Sequence, residues 1–120
     1  MTELQHQITL FKWAAQPSVR QKYPELKYLF HIKNETKEGA AQVAIDKRQG
    51  IKKGVPDLFL PVPRGTFHGL FIEMKTEKGC ASEEQKWWLK EMIDHGYAAE
   101  VCHGWEETKG ELLWYLNLNK

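Results

Sequence analysis

Cysteine is scarce in this 120-residue chain: only Cys80 and Cys102 are present. Two thiols cannot staple a disulfide scaffold. Neither belongs to a C-x-x-C pair, so a zinc ribbon is not expected either. No apolar run approaches the ~20 residues of a membrane-spanning helix. The segment Met1 to Gln7 lacks a basic stretch followed by an apolar one, so no secretory leader is expected, and the implied compartment is reducing and cytoplasmic. No repeat, low-complexity tract or linker interrupts the chain, which predicts one domain over residues 1–120. Neither sign of charge dominates, since 17 Lys and Arg against 16 Asp and Glu leave +1. That excludes a strongly basic, histone-like binder but not a nucleic-acid partner, because the placement of charge matters more than its sum.

What is there suits a folded unit with one real core. Hydrophobic residues make up 42% and charged residues 28%, an ordinary balance for a globular chain. At this length roughly two-thirds of the unfolded surface can be buried. The charge is unevenly placed. Lys47, Arg48, Lys52 and Lys53 crowd one segment opposed only by Asp46, while Glu106, Glu107 and Glu111 gather near the C-terminus.

Periodicity and punctuation predict the elements. Glu3 to Ala15 reads as a helix with a Thr2/Gln5 capping box, with Leu4, Ile8, Phe11 and Ala15 on one face and Pro17 as its end. Leu26 to Ile32 is rich in strand formers and predicts the first strand. Gly39 to Gln49 predicts an alanine-rich helix stopped by Gly50, small enough to pack closely on a sheet. Asp57 to Leu60 and Leu70 to Thr76 predict two strands. They lie too close along the chain for a parallel crossover, so they should pair antiparallel. Ser82-Glu83-Glu84-Gln85 opens a third helix with another capping box, closed by Gly96. Tyr97 to Cys102 reads as a core strand, and Trp105 to Leu118 as a last helix weakened by Gly110. The order α-β-α-β-β-α-β-α predicts an α/β fold, a mixed sheet with helices on both faces.

Chemistry concentrates on Leu70-Phe71-Ile72-Glu73-Met74-Lys75. Side chains alternate across a strand, so Leu70, Ile72 and Met74 take one face and Phe71, Glu73 and Lys75 the other. A carboxylate and an ammonium on an apolar strand are costly unless they pair, hydrogen-bond or hold a metal. Asp57 begins the neighbouring strand and can stand beside Glu73. Two adjacent carboxylates repel, and a divalent cation removes that repulsion. An oxygen-rich set suits Mg²⁺ or Mn²⁺, which also contact phosphate. A purely structural Glu73–Lys75 pair is the alternative for these residues. Gln85 shares a helical face with Trp88, Leu89 and Met92, so its amide either caps the helix or points to the site. Glu3 is either a first-turn acid favoured by the helix dipole or a further metal-facing carboxylate.

The ordered set Gly54-Val55-Pro56-Asp57-Leu58-Phe59-Leu60-Pro61-Val62-Pro63-Arg64-Gly65, Gly69-Leu70-Phe71-Ile72-Glu73-Met74-Lys75, Ser82-Glu83-Glu84-Gln85-Lys86, Gly96-Tyr97 and Val101-Cys102-His103-Gly104-Trp105 closely resembles the VRR-NUC family. These are nucleases of the PD-(D/E)XK, restriction-endonuclease-like superfamily, and the short form is similar to stand-alone members of phages and bacteria. The resemblance implies that Asp57, Glu73 and Glu3 are metal ligands, joined by the Met74 carbonyl oxygen. It makes Lys75 the catalytic lysine and Gln85 the helix glutamine that completes the motif. Asn34 matches an asparagine after the first strand, near the site or the DNA. The chain departs from the pattern at Lys33, where proline is common, and at Cys80 and Ala81, changes that leave the metal set intact.

The resemblance implies a homodimeric endonuclease for branched DNA, similar to Holliday junction resolvases. One site cuts one strand, and a twofold dimer supplies two. Lys47, Arg48, Lys52 and Lys53, with Asn34, are the expected DNA-contacting residues. Trp87, Trp88, Trp105 and Trp114 are expected mostly in the core, with one or two at a dimer interface. No base-reading insertion is visible, which argues against a sequence-specific restriction enzyme. A catalytically inactive DNA-binding module on the same fold, or a flap-cutting or nicking enzyme, remains open at this level.

Overall fold

The computed structural model of the protein describes residues 1–34 and 39–120. Thr2 and Gln5 close the first helix as expected: the Thr2 hydroxyl accepts from the Gln5 amide and the Gln5 side chain accepts from the Thr2 amide. Helix α1 (Glu3–Ala14) is apolar on two sides. The buried side carries His6, Leu10, Trp13 and Ala14, while Leu4 and Ile8 face outward at 64% and 49% exposure. The face read from the sequence is therefore the outer one. Both stripes fit the helical period, and burial went to the one holding the large Trp13 ring.

Pro17 does more than end α1. It sits at the start of a second short helix, α2 (Pro17–Lys22), where its missing N–H is harmless. The strand predicted over Leu26 to Ile32 shrinks to β1 (Phe30–His31). A 3₁₀ turn opened by Pro24 occupies Pro24–Tyr28. It carries Leu26 inward, and Leu29, three residues on, is buried beside it in the same core cluster. Helix α3 (Ala40–Arg48) forms where expected, but it does not pack closely on the sheet. Ala40, Ala41 and Ala44 are exposed and only Asp46 is buried. Val43 and Ile45, its largest apolar residues, do not share a face.

Strands β2 (Leu58–Leu60), β3 (Leu70–Lys75) and β4 (Ala98–His103) complete a four-stranded sheet in the order β1-β2-β3-β4. β2 and β3 pair antiparallel, with Leu58 opposite Ile72 and Leu60 opposite Leu70. β3 and β4 pair parallel, from Leu70 opposite Ala98 to Lys75 opposite His103. Helix α4 (Glu83–Asp94) makes the crossover such a pair requires. The last helix, α5 (Trp105–Leu116), closes the core. Leu58, Leu60, Leu70, Ile72, Met74 and Cys102 of the sheet pack with Leu10 and Trp13 of α1 and Leu112 and Tyr115 of α5. The other face carries Phe59, Phe71 and Tyr97, with the Phe59 and Phe71 rings stacked at 4.2 Å.

The tryptophans depart from expectation. Trp87 and Trp114 are exposed at 56% and 48%, and Trp88 and Trp105 are half-buried. Trp13 is the buried ring. No helix among the described residues is long and apolar enough to cross a membrane.

Candidate active site

The β2–β3 ladder stops at Leu58 and Ile72, while β3 runs on through Glu73, Met74 and Lys75. Asp57 stands at that fork, just before β2. Its Oδ2 accepts the Met74 amide N–H at 3.0 Å, and its Oδ1 accepts from Asn34 Nδ2 at 2.9 Å. Its main-chain carbonyl accepts from Ile32 N at 2.7 Å and meets His31 Nδ1 at 3.0 Å. Both carboxylate oxygens are thereby aimed.

The alternation read along β3 holds. Leu70, Ile72 and Met74 face the core, and Glu73 projects to the α4 side, where Gln85 meets it. Glu73 is only 1% exposed. Its Oε2 accepts from Gln85 Nε2 at 3.2 Å and lies 3.4 Å from Lys75 Nζ. Its Oε1 is buried with no hydrogen-bond partner. Burial, and then the Asp57 carboxylate, push the Glu73 pKa up to about 8, against the pull of Lys75. Glu3, on the first turn of α1, completes the cluster. One carboxylate oxygen each from Glu3, Asp57 and Glu73 lie within 4.8 Å of one another.

Gln85 serves both purposes weighed from the sequence. Its Oε1 accepts the Ser82 amide at 2.8 Å to finish the α4 capping box, while its Nε2 reaches Glu73. The helix start thus fixes the rotamer that presents the amide. Met74 contributes its N–H to Asp57, and its side chain is buried in the core.

The basic segment is fixed to α4, the helix that carries Gln85. The Lys53 carbonyl accepts from Trp88 Nε1 at 3.0 Å, and Lys53 Nζ lies 3.4 Å from Glu84 Oε1. Lys47, Arg48 and Lys52 are exposed. Gly54 makes the docking possible: at φ +85° it presses on α4, and a Cβ there would lie 2.7 Å from Glu84 Cβ and 2.9 Å from its carbonyl carbon. Gly54→Ala should therefore cost about 2–4 kcal/mol from left-handed strain and overpacking. Thermal unfolding checks it, and an unchanged melting temperature would show that the loop is not seated on α4.

Three residues next to the cluster escaped the sequence. Buried His6 accepts the Trp105 N–H on Nδ1 at 3.1 Å, one turn beyond Glu3. His103 reaches the Gly79 carbonyl, and Gly79 lies against Lys75. The only sequence signal was His103-Gly104-Trp105 at the end of a strand, which carried no role.

Comparison with known proteins fits this geometry. Residues 1–106 match the VRR-NUC domain. The chain belongs to the VRR-NUC family. This is a family of nuclease domains, so a nuclease role and the restriction-endonuclease-like α/β fold follow for the chain. A solved structure titled "VRR_NUC domain protein" superposes with a TM-score of 0.85 at 30% identity, covering 100% of this chain and 92% of that one. No curated protein matches the sequence. Within this VRR-NUC chain, the acids, the lysine and the glutamine named from the sequence lie together around Glu73, and Asn34 joins them through Asp57.

Proposed function

We propose that this VRR-NUC protein is a metal-dependent, structure-selective DNA endonuclease of the Holliday-junction-resolving kind, acting as a homodimer with residues 1–120 as one nuclease domain. The observation that carries the reading is the convergence of Glu3, Asp57 and Glu73 within 4.8 Å, with the Lys75 ammonium 3.4 Å from Glu73. The donor set suits a hard cation. It is all oxygen, it includes a buried carboxylate oxygen without a hydrogen-bond partner, and that carboxylate resists ionisation even beside Lys75, so a further positive charge would suit it. Glu3, Asp57 and Glu73 would hold Mg²⁺ or Mn²⁺, with the Met74 carbonyl as a further donor. Such an ion supplies a Lewis acid for the phosphate and lowers the pKa of a water.

The chain's own residues do the rest. Asn34 and the Met74 N–H lock the Asp57 carboxylate, and Gln85 holds Glu73. Lys75 offers an ammonium to orient the attacking water or to stabilise charge growing on the phosphorus centre. Lys47, Arg48, Lys52 and Lys53 would contact backbone phosphates, reading shape rather than sequence. Trp87 and Trp114, both exposed, are candidates for contact with a second copy. Both cysteines are free thiols, which suits a reducing, cytoplasmic setting.

The test compares labelled four-way junction, flap and linear duplex in Mn²⁺, with and without EDTA. Paired, symmetric incisions in the junction that vanish in EDTA are expected. Cleavage that persists in EDTA would overturn metal dependence, and equal cutting of linear duplex would overturn structure selectivity. Tight junction binding with no incision would identify a binding module instead.

A further inference from the structure

Lys75 has a long, flexible stem, yet its side chain is only 13% exposed and its ammonium stays on Glu73. A lysine carries about 2 kcal/mol of rotamer entropy, so something must wall it in. The wall is the turn over residues 76–79. Gly79 N–H closes it on the Thr76 carbonyl at 3.1 Å. Gly79 lies so near the lysine that a Cβ on it would fall 3.3 Å from Lys75 Cβ and 3.5 Å from Lys75 Cδ.

That turn is held from across the sheet. His103 ends β4 directly opposite Lys75 in the parallel ladder. Its Nε2 lies 3.0 Å from the Gly79 carbonyl oxygen. A carbonyl only accepts, so Nε2 is the protonated nitrogen. The His103 backbone is itself fixed, with its N–H donated to Glu107 Oε2 at 3.0 Å; that oxygen lies 3.9 Å from His103 Nδ1. The next residue grips the strand end, Gly104 N–H donating to the Lys75 carbonyl at 2.7 Å. Trp105 N–H then goes to His6 on α1, the helix that carries Glu3.

We infer that His103 is a positioning residue for Lys75. By holding the Gly79 carbonyl it keeps the turn against the lysine stem and the ammonium beside Glu73. This rests on the catalytic reading of Lys75 given above. His103→Gln keeps a side-chain N–H for Gly79, whereas His103→Leu does not.

His103→Leu should lower kcat on the junction about 10- to 100-fold with KM changed less than about twofold, as expected for a misplaced catalytic group. His103→Gln should restore most of the rate. Placed on Lys75→Ala, His103→Leu should cost nothing further, because the two act through one group. An undiminished loss in that background, or equal loss from both His103 variants, would overturn the inference. NMR of ¹³Cε-labelled lysine gives a readout free of activity: the Lys75 signal should shift in His103→Leu and stay in place in His103→Gln. A Lys75 signal unmoved by His103→Leu overturns the positioning role. A wild-type protein that cuts nothing retires the nuclease reading and leaves this spectroscopic result to decide the other.

Discussion

Lys75→Ala is expected to lower Mn²⁺-dependent junction cleavage by about 10³-fold while junction binding changes little. The size follows from the role proposed for Lys75, since the substitution would remove a charged group aimed at charge that develops only in the transition state. Lys75 Nζ lies 3.4 Å from Glu73 Oε2, and among the described residues no other cation is paired with that carboxylate. The measurement is single-turnover cleavage with an electrophoretic binding control. A loss below tenfold would remove Lys75 from the chemistry and leave it as an ion-pair partner. A loss of binding in proportion to the loss of rate would make it a DNA contact.

Glu73→Gln should abolish metal-dependent cleavage and, in EDTA, stabilise the protein. The sign comes from linkage. The Glu73 pKa is raised from 4.5 to about 8 by burial and by Asp57. Between those values the folded state binds more protons than the unfolded state, so stability falls as pH rises from about 5 to 8. At the upper end the buried charge costs on the order of a few kcal/mol. In EDTA the wild-type melting temperature should therefore drop across this window, and that of Glu73→Gln should drop less. Mn²⁺ should recover the wild-type loss and have little effect on the variant. A wild-type melting temperature that climbs with pH in EDTA, or parallel curves for the two proteins, would contradict the burial of this carboxylate.

The placement of the candidate site residues was more legible in the sequence than the bounds of the elements around them. Glu73 and Lys75 lie two apart on a strand, and Gln85 is the third residue of its capping box, so local periodicities placed all three. Asp57 was readable because a short connection made β2 and β3 partners. The scaffold misled where propensity met competition. Leu26 to Ile32 has strand-forming composition, but Pro24 opens a 3₁₀ turn that uses Leu26 for the core. The α1 sequence supports two apolar stripes, and period alone does not choose between them.

His6 and His103 were out of reach for a different reason. Their partners lie 99 and 24 residues away in the chain, and no local pattern encodes such a meeting. Gly79 is similar. Its backbone does not need glycine, since its φ lies outside the left-handed region; the closeness of the Lys75 stem calls for the missing side chain.

One side chain, Gln85, joins the start of α4 to Glu73. Helix ends fray before cores melt. When the first turn of α4 frays on warming, the amide leaves Glu73 while the strand beneath stays folded. Heat inactivation should therefore precede global melting, and Ser82→Ala should lower the inactivation temperature more than the melting temperature.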